Sequence, residues 1–102
     1  MTHEDVIQTQ KLIIKDLGLS QEELPATVED LETLKKRLIP LINFLLNKDL
    51  NRLLTAFYRI DLDEKKVKYV LTQENPEAIA GKLADMVITR ELQKVITRKK
   101  YR

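Results

Sequence analysis

Leucine and isoleucine at spacings of three and four positions dominate the segment from Val28 to Ile60. The apolar residues form two runs, which are separated near Asn47 and Asp49: Leu31, Leu34, Leu38, Leu41, Ile42 and Leu45, then Leu50, Leu53, Leu54 and Phe57. This spacing places side chains on one face of an α-helix. The segment therefore predicts two amphipathic helices, whose apolar faces must be covered by the rest of the chain.

Capping residues predict a helix before this segment. Thr2, with Asp5 three positions later, resembles a capping box, and Gly18 suits the left-handed conformation that ends many helices. Ser20 and Glu23 form a second capping-box pattern, but a proline follows so soon that only one helical turn is expected.

Thr27, immediately before the Val28–Ile60 segment, is the predicted cap of a long second helix, Val28–Asn47. Pro40 lies inside this helix and predicts a kink or a break, because proline removes a backbone hydrogen bond and clashes with the preceding turn. A short third helix, Leu50–Arg59, follows.

The remaining chain predicts two further helices. Asp61 with Glu64 resembles a capping box for the fourth helix. Asn75 followed by Pro76 is a strong start signal for a long last helix, Pro76–Lys100.

These elements indicate one all-α domain over residues 1–102. With only two glycines, three prolines and no clear apolar–polar alternation, strands and tight hairpins are not expected. A chain of this length buries enough surface for one core. We predict a single small helical bundle of four to five helices, in which the second and last helices are the long members.

The sequence also predicts where the protein resides. It contains no cysteine, which fits a reducing compartment. The first residues carry acids where an export signal needs bases. The longest nearly apolar run, Leu38–Leu46, falls far short of the roughly 20 residues that span a bilayer. We expect a soluble, cytoplasmic protein that does not contact a membrane.

Catalytic and metal chemistry have little support in the sequence. His3 is the only histidine and Ser20 the only serine, and we expect Ser20 to act as a cap. The two isolated glycines cannot form a phosphate-binding loop. We predict that the protein is not an enzyme, with no catalytic residue, no metal site and no cofactor.

The last helix is apolar over an unusually broad arc. Ile79, Leu83 and Met86 form one stripe, and further apolar residues widen it: Ala80, Ala84, Val87, Ile88, Leu92 and Val95. Such a helix is usually contacted on two sides, either inside a bundle or at an oligomer interface. The best functional prediction is a protein-interaction module that binds a second copy of itself or another protein.

Charge is distributed asymmetrically. Residues 1–34 hold two basic and eight acidic residues, whereas residues 82–102 hold seven basic and two acidic ones. Basic residues form a row near the end of the last helix: Arg90, Lys94, Arg98 and Arg102, with Lys99 and Lys100 beside it. This basic row predicts contact with an anion or an acidic partner. The alternative function is therefore association with nucleic acid.

Two other interpretations of the basic row remain open. The row can be a solvated tail. It can also be neutralised within the fold or across a dimer by N-terminal acids: Glu22, Glu23, Glu29, Asp30 and Glu32.

Two charged residues fall within the apolar arc of the last helix. Arg90 is in line with its apolar stripe, and Glu91 lies beside it. An arginine in such a position requires a carboxylate partner, and Asp61 or Asp63 can supply one. We predict an Asp61–Arg90 pair that is either structural or part of an anion-binding site.

Overall fold

A computed structural model describes residues 2–20, 22–24 and 30–101, and in that part the chain forms five α-helices and no strand. The helices are α1 (His3–Leu17), α2 (Leu31–Lys48), α3 (Leu50–Ile60), α4 (Glu64–Gln73) and α5 (Pro76–Lys100). The predicted all-α bundle, with long second and last helices, is confirmed.

Local capping chemistry fixes both ends of α1 as the sequence predicts. The Thr2 side chain accepts a hydrogen bond from the Asp5 backbone N–H, and the Asp5 carboxylate accepts one from the Thr2 N–H. Gly18 ends the helix in the left-handed region, with φ 63°. The Ser20–Glu23 capping hydrogen bonds also form, at a turn.

The start of α2 differs from the prediction. The helix begins at Leu31 and not at Val28, because Asp30 is extended and its side chain accepts a hydrogen bond of 2.7 Å from the Thr33 N–H. Asp30 is therefore the cap. Thr27, the predicted cap, lies outside the described residues, as does Val28.

Pro40 does not break α2, which continues to Lys48. Proline deprives the carbonyl four residues earlier, that of Lys36, of its helical partner. Both Pro40 and Lys36 are exposed, so water can satisfy this carbonyl.

The junction between α3 and α4 corrects a second capping prediction. Asp61 does not cap α4 with Glu64, because it ends α3 in the left-handed conformation, with φ 67°. Asp63 caps α4 instead, and its carboxylate accepts hydrogen bonds from the backbone N–H groups of Lys65 and Lys66.

The α5 helix runs through the middle of the bundle and packs against the other four helices. Its buried residues are Ala80, Leu83, Ala84, Val87, Ile88, Glu91 and Val95. Of the two explanations for the broad apolar arc, burial inside the bundle accounts for most of it. The arc itself is therefore no longer an argument for an oligomer interface.

The two glycines predict opposite responses to the same substitution. Gly18→Ala should lower the free energy of unfolding by about 1 kcal/mol, because alanine is strained in the left-handed region. Gly81→Ala should raise it by about 0.5–1 kcal/mol, because Gly81 lies inside α5 and, among the described residues, an added Cβ meets only Ile39 Cδ1, at 3.9 Å. Urea denaturation measures both changes in the free energy of unfolding. Two changes of the same sign would contradict this account.

Candidate interaction surface on α3 and α4

A groove separates α3 from α4, because α4 packs mainly against α5. The α3–α4 groove encloses about 660 Å³. Its apolar lining comes from both helices and from the junction between them: Leu54, Phe57, Tyr58, Leu62, Val67 and Leu71. Such a concave apolar surface is typical of sites that receive another molecule.

An exposed apolar stripe on α3 continues this surface. Leu50, Leu54 and Tyr58 are four residues apart and are 44%, 39% and 80% exposed. The opposite face of α3 is buried in the core, so this stripe has no covering element in the described part of the chain. Contiguous exposed apolar side chains often mark contact surfaces.

The junction end of the groove is acidic. Asp61, Asp63 and Glu64 line it and are all exposed, and among the described residues Lys68 is the one basic residue in the lining. A partner that carries positive charge beside apolar side chains would complement this surface.

The predicted ion pair between Arg90 and Asp61 forms at this junction. Arg90 Nη2 lies 3.3 Å from Asp61 Oδ2, and the two side chains are 37% and 81% exposed. Arg90 therefore emerges at the edge of the bundle and is not buried. An exposed pair of this kind contributes at most about 1 kcal/mol.

Two more members of the basic row have carboxylate partners. Lys94 Nζ lies 3.2 Å from Glu91 Oε1 and 3.5 Å from the Arg59 carbonyl oxygen. Lys99 Nζ lies 3.4 Å from Asp5 Oδ1. These contacts attach the row to the end of α3 and to the start of α1.

The rest of the basic row is less constrained. Arg98 and Lys100 form no ion pair with the described residues, and Arg102 lies outside them. Four of the N-terminal acids that the sequence suggests as partners are described, and none of them pairs with the row: Glu22, Glu23, Asp30 and Glu32. Glu29 lies outside the described residues. N-terminal neutralisation comes from Asp5 instead.

Glu91 is the most unusual charged residue in the bundle. Its side chain is fully buried, and neither oxygen makes a hydrogen bond of good geometry within the described chain. Burial and the nearby Asp16 carboxyl raise the pKa of Glu91 to about 7, although Lys94 acts in the opposite direction. The sequence places Glu91 in the apolar arc, but its proximity to Asp16 depends on how α1 packs on α5.

Other classes of site are not evident in the described residues. They hold no cluster of three or more His, Cys, Asp or Glu residues suited to a metal ion. None of their helices combines the length and apolarity needed to cross a bilayer. No family model matches the chain, and no similar curated protein or solved structure was found.

Glu91 should make stability depend on pH. Its pKa is higher in the folded state, about 7, than the ordinary 4.5, so its stabilising contribution is complete below pH 4.5 and is lost as the pH rises through 7. Linkage gives a loss of about 2 kcal/mol between pH 5 and 8. Glu91→Gln should remove this loss from urea unfolding curves, and a Gln variant with an unchanged pH profile would refute the assignment.

Asp16→Asn provides a matched control for this measurement. It removes the carboxyl that raises the pKa of Glu91 but keeps the Glu91 carboxylate. The pKa of Glu91 in the folded state should therefore be lower, so the loss of stability should be smaller and should end at lower pH than in the unmodified protein.

The Asp61–Arg90 pair should contribute little to stability. A double-mutant cycle with Asp61→Asn and Arg90→Gln should give a coupling energy of about 0.2–1 kcal/mol that falls with added salt. Asparagine suits this cycle because it tolerates the left-handed conformation of residue 61. A coupling of about 3 kcal/mol or more would indicate a buried pair and contradict the geometry.

Proposed function

We propose that this protein is a non-enzymatic helical interaction module that associates with a second copy of itself. The observation that carries the proposal is the apolar α3–α4 groove together with the exposed α3 stripe. Covering this surface would remove Leu50, Leu54 and Tyr58 from water, which favours association.

A second copy is favoured because one chain carries two complementary surfaces. The groove has acids at its junction end, and the end of α5 carries Arg98 and Lys100, which form no ion pair with the described residues. Complementary charge steers association and disfavours other orientations. The absence of cysteine fits a role in the cytoplasm, where disulfides are rare.

Association with nucleic acid is the weaker alternative. Arg90, Lys94 and Lys99 already contact carboxylates, so fewer of the basic groups are available for phosphates. Affinity for nucleic acid depends strongly on the number of phosphate contacts. Binding at low salt that disappears when Lys94 and Arg98 are both changed to Glu would favour this alternative.

The proposal predicts that Leu54→Glu weakens self-association. The substitution places a charge in the apolar surface, so the dissociation constant should rise at least about tenfold. Sedimentation equilibrium measures the change against the monomer mass of 11.9 kDa. Because Leu54 is partly exposed, circular dichroism should show an intact fold.

Phe44→Glu is the matched control. Phe44 is an exposed apolar residue of α2 and does not line the groove. The Phe44→Glu variant should therefore associate as the unmodified protein does. An unmodified protein that stays monomeric at every accessible concentration would rule out the proposed function.

A further inference from the structure

We infer that the α3–α4 groove receives the C-terminal end of α5 from a second copy, residues Ile96–Tyr101. This inference rests on the proposed self-association and specifies its contact. We call this segment the basic tail.

The basic tail combines apolar and positively charged groups on an exposed helix end. Every residue from Ile96 to Tyr101 is exposed, and this includes the large side chains of Ile96 and Tyr101 themselves. Between them lie Arg98 and Lys100, which have no carboxylate partner in the described chain. The tail therefore offers apolar surface and positive charge together.

The groove complements the basic tail, because it also carries apolar side chains but has the opposite charge. Its walls carry apolar side chains, and its junction end carries the carboxylates of Asp61, Asp63 and Glu64. Glu64 makes no ion pair with the described residues, and the Asp63 cap uses Oδ1 alone. Basic groups of an incoming tail would thus meet the carboxylates of Asp63 and Glu64, which lack a basic partner in the described chain.

A chain cannot place its own tail in its own groove. The α5 helix is continuous through Lys100, and Arg90 holds it beside the junction through Asp61. At 1.5 Å per residue, Lys100 lies about 15 Å further along the helix axis. The tail therefore extends away from the junction and is presented to another molecule.

The same arrangement allows two contacts to form at once. Each copy has its acidic junction beside Arg90 and its basic tail at the end of the same helix. When two copies pair antiparallel about a twofold axis, each tail meets the junction of the other. Such an isologous contact closes a dimer and does not propagate into a filament.

Charge reversal tests this contact. The tail variant carries Arg98→Glu and Lys100→Glu, and the groove variant carries Asp63→Asn, which keeps the cap, with Glu64→Lys. Each variant alone should dimerise at least tenfold more weakly than the unmodified protein by sedimentation equilibrium. An equimolar mixture should recover the dimer, because both tail–groove contacts are again between opposite charges.

Lys11→Glu with Arg37→Glu is the charge-matched control. Both residues are exposed on helices and make no ion pair with the described chain. This control should dimerise as the unmodified protein does. Recovery in the mixture together with an unaffected control would support the inference.

Two other outcomes separate failure of this inference from failure of the proposed function. If Leu54→Glu abolishes the dimer but both charge variants keep it, the groove is the interface and the basic tail is not its occupant. If the unmodified protein is monomeric, the proposed self-association fails as well.

Discussion

The packing of α5 through the middle of the bundle determines most of what the molecule presents to solvent. Because α5 contacts all four other helices, its apolar side chains are used within the fold. The same packing draws α4 away from α3 and leaves the groove between them. One arrangement thus buries the broad apolar arc of α5, which the sequence indicates as a contact surface, and exposes the α3–α4 groove instead.

Local signals were sufficient to predict several helix ends. Thr2, Gly18 and Pro76 act through hydrogen bonds or backbone geometry within one turn, so their neighbours in sequence determine the result. The start of α2 was harder, because Asp30 and Thr27 are both capable caps. The Asp61 prediction was wrong for a similar reason, since an aspartate can end one helix or begin the next.

Long-range contacts explain why the site was only partly predictable. The basic row and the Asp61–Arg90 pair could be predicted, because they follow from helical periodicity and a short junction. The contacts of Lys99 with Asp5 and of Glu91 with Asp16 could not, because they depend on how α1 lies on α5. The groove depends on the angle between α3 and α4, and periodicity does not determine that angle.

The sparse anchoring of α4 has a consequence for how the groove can accommodate an occupant. This helix buries only Val67 and Val70, whereas α5 buries seven residues. Elements with few buried contacts open locally at low free-energy cost, so the amide hydrogens of α4 would exchange with solvent sooner than those of the core helices. One wall of the groove is thus compliant and the other, α3, is fixed in the core. Such a cleft can adjust its width around a helix without unfolding the bundle.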